Sequence, residues 1–409
     1  INVSSLGAAT GNAGTISFSG TGAISTGALT LQSTSAGTGG ALNLGTLGGG
    51  LSNPLSITTG AISTTSGATG IGGAVGLYSR NAITTGAITT NAGTGGNVTL
   101  IASNGAITTG AITTSGTTNA TNRAGLVNLD NSAAAFAIST GAGAITASSG
   151  GGFTAATPIV ITINTLGSFS STAATALISN AITAGNGGYI QVTMGSTAAG
   201  VGAITANGVG TGNGGRVNLT INTTATTIGA AAAANNMGTI SANSGAAGAG
   251  GTVLISTANL GLTTVGATPI SVTAAGAAGT GGIIGINVGT ATLTLAATTV
   301  MSANATGTGS ASTDPGALNG GNAIRIIAGR IAGVAANNFN AQAGQVAGNT
   351  GNGGRINIAL SSAATPSVFG AVSTIAGVAG GTGGNVTISA ANTLTTGAIS
   401  ATGFGPGAA

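Results

Sequence analysis

A paired-glycine motif recurs along the whole 409-residue chain and constrains its fold more than any other feature. Each copy consists of two glycines followed by a short segment in which hydrophobic and polar residues alternate, as in GTGGNVTL from Gly93. Between Gly14 and Gly384 there are thirteen copies, some of them loose, with a mean spacing of about 31 residues. Units of this length with several short alternating segments are typical of the coils of a parallel β-solenoid. The motif therefore predicts an all-β parallel β-solenoid of roughly 13 coils.

A second motif lies between the paired-glycine copies and indicates the rest of each coil. It reads GAISTT from Gly60, NAITTG from Asn81 and GAITTG from Gly105, and related copies continue to GAISAT from Gly397. β-Branched Ile and Thr are enriched in strands, and helix signals are weak throughout the chain. Each repeat thus contains a first strand after the two glycines, a short link and one or two further strands. We expect a single continuous solenoid over residues 1–409.

The alternating residues after each glycine pair predict which side chains form the core. Successive side chains of a strand point to opposite faces, so Val98 and Leu100 share one face while Asn97 and Thr99 share the other. Stacked coils place like residues over like, which predicts an aliphatic ladder inside and a polar ladder outside. The predicted core ladder consists of Val98, Leu100, Val217, Leu219, Ile284, Ile286, Ile356, Ile358, Val386 and Ile388.

The paired glycines are predicted to occupy the corners of the coils. Glycine is favoured where the backbone needs a positive φ, or where coils approach too closely for a Cβ atom. The predicted corner glycines are Gly39, Gly40, Gly95, Gly96, Gly187, Gly188, Gly214, Gly215, Gly281, Gly282, Gly353, Gly354, Gly383 and Gly384.

The side-chain inventory argues against enzymatic chemistry. The chain has no His, Cys, Lys, Glu or Trp, and its two acids, Asp130 and Asp314, are 184 positions apart. General acid–base catalysis, an activated serine and a transition-metal site all need residue types that are missing. We therefore expect no enzyme, no cofactor and no metal site.

The charges and hydropathy also limit the partners. All six cations are arginine and they are dilute, whereas nucleic-acid binding needs clustered cations; we expect no nucleic-acid partner. Polar residues and glycine interrupt the apolar residues every few positions. Because no run of about 18 strongly apolar residues exists, we expect no membrane-spanning segment.

Both ends of the sequence fall inside the repeat pattern. The opening residues match the late part of a unit, and the closing GAISATGFGPGAA stops where another glycine pair is due. Open strand edges invite pairing. We expect either an interior stretch of a longer solenoid or a homo-oligomer that packs into filaments, end to end or laterally.

The GxGGxVxL strand followed by GAIxT, with almost no charge, resembles the filamentous-haemagglutinin-like exoproteins. The resemblance covers nearly the whole chain and rests on its low-complexity repeats. It implies a right-handed parallel β-helix with three strands per coil, an extracellular or cell-surface location, and a role in adhesion or matrix. The family is commonly exported by two-partner secretion, but its amino-terminal secretion domain is not recognisable here.

These features predict a structural or adhesive extracellular rod rather than a catalyst. The alternative is an ice- or glycan-binding solenoid module, since polar outer ladders offer multivalent hydrogen bonds. Ice binding would need Thr-x-Thr at one repeated outward place. The outward pairs after the glycines are mixed instead, as in Asn97 with Thr99, or Arg216 with Asn218. This mixture argues against the ice-binding alternative.

Overall fold

A computed structural model describes residues 11–34, 36–117, 123–153, 159–197, 200–274, 279–296, 298–305, 310–311 and 323–404. The chain forms two compact units. Unit 1 comprises residues 1–183, 188–202 and 232–234, and unit 2 comprises residues 184–187, 203–231 and 235–409.

Unit 1 is built from short strands with a repeated order. Its strands are β1 (Ile16–Phe18), β2 (Ile24–Ser25), β3 (Leu29–Thr30), β4 (Leu42–Leu44), β5 (Ile57–Thr58), β6 (Ile62–Ser63), β7 (Val75–Ser79), β8 (Ile83–Thr84), β9 (Ile88–Thr89), β10 (Val98–Ala102), β11 (Ile107–Thr108), β12 (Ile112–Thr113), β13 (Val127–Asp130), β14 (Ile138–Ser139), β15 (Ile145–Thr146), β16 (Ile161–Asn164), β17 (Phe169–Ile178) and β18 (Tyr189–Met194). A 3₁₀ turn over Gly50–Ser52 is the helical element among the described residues. The next strand, β19 (Val201–Thr205), begins in unit 1 and ends in unit 2.

Unit 2 repeats the same plan. Its strands are β20 (Arg216–Ile221), β21 (Thr226–Ile228), β22 (Asn236–Met237), β23 (Ile240–Ser241), β24 (Thr252–Thr257), β25 (Leu262–Thr264), β26 (Ile270–Ser271), β27 (Ile283–Asn287), β28 (Thr292–Leu295), β29 (Val300–Ser302), β30 (Ile324–Ala328), β31 (Arg330–Ala332), β32 (Asn338–Asn340), β33 (Ile356–Leu360), β34 (Ser367–Val368), β35 (Val372–Ser373), β36 (Val386–Ala390), β37 (Leu394–Thr395) and β38 (Ile399–Ser400). No helix in the described ranges is long and apolar enough to cross a membrane.

Most strands pair in parallel with their counterparts one coil away, which defines a solenoid with three strands per coil. In the coil of β17, one long strand pairs with both β14 and β15. In unit 1, β7 pairs with β10, β8 with β11 and β9 with β12. In unit 2, β30 pairs with β33, β31 with β34 and β32 with β35. The first strands of the coils number seven in unit 1 and six in unit 2. The predicted all-β parallel solenoid of about 13 coils is confirmed.

The pairing register stacks identical residue types inside the coils. Val98 lies between Val75 and Val127, and Leu100 lies between Leu77 and Leu129. All of these aliphatic side chains are buried. The second and third strands add ladders of isoleucine, so three aliphatic ladders fill each coil from three sides. This burial, together with continuous pairing of backbone amides, accounts for a stable fold with so little charge.

The corner after the third strand is closed by a reciprocal pair of hydrogen bonds, which we call the threonine clip. The Gly96 amide donates to the carbonyl oxygen of Thr90 (2.9 Å), and the Thr90 hydroxyl donates to the carbonyl oxygen of Gly96 (2.6 Å). The same pair of bonds joins Thr64 to Gly73, Thr114 to Gly125 and Thr374 to Gly384. These threonines are fully buried, so their hydroxyls need an internal acceptor.

Asparagine side chains satisfy amides at the turns, where regular pairing stops. The side-chain oxygen of Asn91 accepts the amide of Ser115 in the next coil (2.8 Å). Asn207 and Asn213 accept the amides of Asn243 (2.8 Å) and Ala249 (2.7 Å) in the same way. Much of the asparagine of this chain therefore serves the solenoid itself.

Candidate functional site

The structure buries most of the predicted core ladder. The buried members are Val98, Leu100, Val217, Leu219, Ile284, Ile286, Ile356 and Ile358. Val386 and Ile388 are only half-buried. They lie on β36, which pairs with β33 on one side. On the other side of β36, the described residues contain no further coil whose aliphatic side chains would cover Val386 and Ile388.

The predicted corner glycines lack space for a Cβ atom but do not adopt a positive φ. None of the fourteen has a positive φ. At Gly95, an added Cβ would press on the carbonyl oxygen of Thr114 and lie 2.7 Å from the amide nitrogen of Gly125. At Gly354, it would instead lie 3.0 Å from three alanine methyl groups. Lack of space for a Cβ atom, beside a neighbouring backbone at Gly95 and beside alanine side chains at Gly354, is thus the physical reason for glycine at these corners.

The outer face of the first strands carries a mixed set of side chains. In unit 1, Thr99 lies between Gly76 and Asn128. The carboxylate of Asp130, also on this face, accepts the Ser132 amide (2.9 Å) in a local turn. Asp314 lies outside the described residues. This face has no regular array of one residue type.

A hollow of about 260 Å³ opens on the corresponding face of unit 2. It forms because Gly285 lies between Leu254 and Arg325 in the ladder of outward residues, leaving a gap. The lining combines these residues with the amide side chains of Asn218 and Asn287. At one edge, the guanidinium of Arg216 donates to the side-chain oxygen of Asn218 (2.9 Å). The hollow thus offers an apolar wall, side-chain amides and the cation of Arg325.

The second and third strands of unit 1 present a much more regular surface, which we call the hydroxyl columns. The first column follows the outward residue of the second strands, and the next column follows that of the third strands. The first column is Ser25, Thr58, Thr84, Thr108 and Ser139. The next column is Thr30, Ser63, Thr89, Thr113 and Thr146. Every one of these ten positions carries a hydroxyl group.

Most of these hydroxyls are free of internal partners. Ser63 accepts a hydrogen bond from Gln32 (2.7 Å), and Ser139 accepts one from the Gly141 amide (3.2 Å). The other eight make no side-chain hydrogen bond with the described part of the chain. Thr58, Thr84 and Thr108 are exposed. These hydroxyls are therefore available to water or to a ligand.

The columns are held at a constant separation. In the first four coils, the outward hydroxyl of the second strand and that of the third strand are five residues apart, as in Thr84 and Thr89. The link between them contains an exposed alanine, such as Ala61 or Ala87. Across each of these coils the surface therefore presents a hydroxyl group, a methyl group and a second hydroxyl group, and along the columns hydroxyl groups follow one another.

Comparison of the chain with known protein families, with curated proteins and with solved structures finds no match.

Reasoning from the sequence overlooked the hydroxyl columns. It examined the outward pair after the glycines, where no threonine array exists, and took the second motif only as evidence for further strands. The signal was the residue after each isoleucine of GAIST and GAITT, which is Ser or Thr in every copy of unit 1. Because side chains alternate along a strand, that position must face outward whenever the isoleucine faces inward.

Proposed function

We propose that this protein is a structural or adhesive extracellular component that acts as a stiff, filament-forming rod. The observation that carries the proposal is the same hydrogen-bonded coil, repeated in each unit with few charges on its outer faces. Repeat stacks of this kind gain stability from each added neighbour. Scarce charge also means little electrostatic repulsion between copies, which favours packing side by side.

The proposal extends to the family and the location. The paired-glycine strands with GAIxT segments support a relationship to the filamentous-haemagglutinin-like exoproteins. In that case the chain would reach the cell surface, and its coils would continue in a longer solenoid or pack against another copy. Both versions give an elongated assembly.

Electron microscopy of native material tests the rod directly. We expect fibres or long rods, and we expect sedimentation to show association that moderate salt does not reverse, because apolar and hydrogen-bonding contacts dominate. Isolated compact particles of 37.1 kDa at high protein concentration would contradict the proposal. Dissociation in moderate salt would instead indicate electrostatic contacts.

Glycan contact is a second candidate function, favoured by the hollow at Gly285. Its size suits a sugar-scale ligand, and its apolar wall with flanking amides and Arg325 offers apolar contact and hydrogen bonds. Binding of individual sugars would be weak, and repetition along an assembly would strengthen it.

A matched pair of variants tests the hollow. Gly285→Leu would fill the gap and Arg325→Gln would remove its cation, so both should weaken binding on a glycan array. Arg355→Gln, which removes an exposed arginine outside the lining, should leave binding unchanged. Equal loss in Arg325→Gln and Arg355→Gln, with no loss in Gly285→Leu, would argue for non-specific charge attraction.

A further inference from the structure

The hydroxyl columns of unit 1 are a repetitive array without an assigned role. Neighbouring strands of a sheet lie about 4.7–4.9 Å apart, so each column repeats its hydroxyl at that distance. This repeat is close to the unit-cell repeat of ice in its basal plane. A surface that repeats in step with a crystal can contact many lattice sites at once.

The chemistry of the columns suits ordered water. Threonine is stiff about χ1, so its hydroxyl and methyl groups are held in few orientations. Eight of the ten hydroxyls are free of internal side-chain partners, and exposed Ala61 and Ala87 place methyl groups between the columns. Methyl groups order neighbouring water, and hydroxyls then hydrogen-bond to it.

The absence of charge in the columns points the same way. None of the ten positions carries a charged side chain. A charged group would hold its own hydration shell, which does not fit an ice lattice. A protein partner, in contrast, would usually be met by aromatic residues and arginine at the centre of the contact.

We propose that the hydroxyl columns of unit 1 bind the surface of ice. The protein binds through ordered water that is shared between the threonines and the crystal. Thr84, Thr89, Thr108 and Thr113 form the centre of the site, because their coils have the constant five-residue separation and neighbours on both sides. This property is independent of the rod proposal, since it requires only one folded unit 1 within the full chain.

Thermal hysteresis and the shape of growing ice crystals test the proposal with the full chain. The wild-type protein is expected to lower the freezing point below the melting point and to facet the crystals. Thr84→Tyr with Thr108→Tyr places two bulky rings at the centre of the array and is expected to abolish both effects. Circular dichroism checks that the variant keeps its β-structure.

A matched control uses the same change in unit 2. Thr227→Tyr with Thr263→Tyr alters half-buried outward threonines in the corresponding strands and should leave the ice effects unchanged. No hysteresis and no faceting in the wild type would overturn the proposal, as would equal loss in both double variants. Retention on crystalline cellulose or chitin without any effect on ice would assign the array to a polysaccharide instead.

Discussion

The two units use the same coil but differ in how regular its outer surface is. In unit 1, both hydroxyl columns run through five successive coils, and the first four coils keep five residues between them. The column of third strands ends where Thr146 pairs with Ile178 of β17. In unit 2, the corresponding column of second strands runs from Thr294 to Ala332 and Val368. The separation of the two columns also varies, being eight residues from Thr263 to Ser271 and five from Thr395 to Ser400.

The units also differ in what their hydroxyls contact. In unit 2, the Ser271 hydroxyl donates to the side-chain oxygen of Asn243 (2.7 Å), a bond that no hydroxyl of the unit 1 columns makes. Ser373 accepts from Gln342 (2.6 Å), as Ser63 of unit 1 accepts from Gln32. Internal partners of this kind stabilise a turn but remove the hydroxyl from the surface array. The comparison teaches that a common core does not impose a common surface. The length of the link and the neighbouring polar side chains decide what the outer face can bind.

The largest effect is expected at the glycines of the constant link. At Gly86, an added Cβ would lie 2.8 Å from the amide nitrogen of Ala61, and Gly60 and Gly110 are crowded in the same way. Gly86→Ala should therefore lower the free energy of unfolding by about 2–3 kcal/mol. Urea unfolding followed by circular dichroism measures this.

The control variant lies in unit 2, between the first strand β24 and the second strand β25 of one coil. At Gly261, the nearest atoms to an added Cβ are 3.6 and 3.9 Å away, which is ordinary contact. Gly261→Ala should be neutral or raise the stability by up to about 1 kcal/mol, because it restricts the unfolded chain. If both variants lost the same stability, crowding would not explain the constant link of unit 1.

The threonine clip is expected to give the next largest effect. Thr90→Val keeps the shape of the side chain but removes the donor to the Gly96 carbonyl, which should cost about 1–3 kcal/mol. Thr90→Ser keeps the hydroxyl and should cost less. At one corner of unit 2, Ala242 takes the place of the threonine, and its carbonyl oxygen still accepts the amide of Gly251 (2.7 Å).

Adding the missing hydroxyl at the Ala242 corner tests the threonine clip in the opposite direction. Ala242→Ser supplies a hydroxyl near the Gly251 carbonyl and should raise the thermal unfolding midpoint slightly, by less than about 1 kcal/mol in free energy. Loss of stability in Ala242→Ser together with no loss in Thr90→Val would show that the hydroxyl contributes nothing to the corner.

The corners show which features of the fold can be predicted from the sequence and which cannot. The spacing of glycine pairs predicts the coil, and alternation after them predicts that Val98 faces inward, because period and side-chain direction are local properties. The clip is a different matter, because it depends on a bond between the third strand of one coil and the glycine pair that follows. Such a bond requires a corner geometry that spacing does not specify.

The surface was harder to predict than the core for a related reason. Burial follows from hydrophobic periodicity, whereas the value of an exposed threonine depends on its neighbours in other coils. Thr89 and Ser271 are both outward residues of third strands, yet the Thr89 hydroxyl is free and the Ser271 hydroxyl donates to Asn243. The half-burial of Val386 also depends on neighbours rather than on the motif.

The turn asparagines should have a smaller effect than the clip. Asn213→Ala leaves the Ala249 amide without its side-chain acceptor, at a cost of about 1 kcal/mol. Asn91→Ala removes the acceptor of the Ser115 amide in unit 1 and should cost a similar amount. Asparagine-to-aspartate variants at both sites keep an acceptor oxygen, so differential scanning calorimetry should show them closer to the wild type than the alanine variants.

The smallest expected effect is a difference in the rate of asparagine deamidation between a site in unit 1 and a site in unit 2. An asparagine followed by glycine can lose ammonia when the glycine nitrogen attacks the side-chain carbonyl carbon, and water then opens the ring to aspartate or isoaspartate. In unit 2, the amide of Gly208 is engaged by the carbonyl oxygen of Asn243 (2.8 Å), and the side chain of Asn207 accepts the Asn243 amide. In unit 1, exposed Asn104 and the amide of Gly105 have no such bonds with the described residues.

We therefore expect Asn104 to deamidate at least ~10-fold faster than Asn207 in the folded protein, because reaction at Asn207 needs local opening. Cleavage after arginine separates the two sites for mass spectrometry, since Arg123 lies between them. In denaturant, where the cross-coil bonds are lost, the two rates should converge. Equal rates in the folded protein would show that the hydrogen bonds at Asn207 and Gly208 do not slow the reaction. The cross-coil pairing in that part of unit 2 would then be weaker than its geometry indicates.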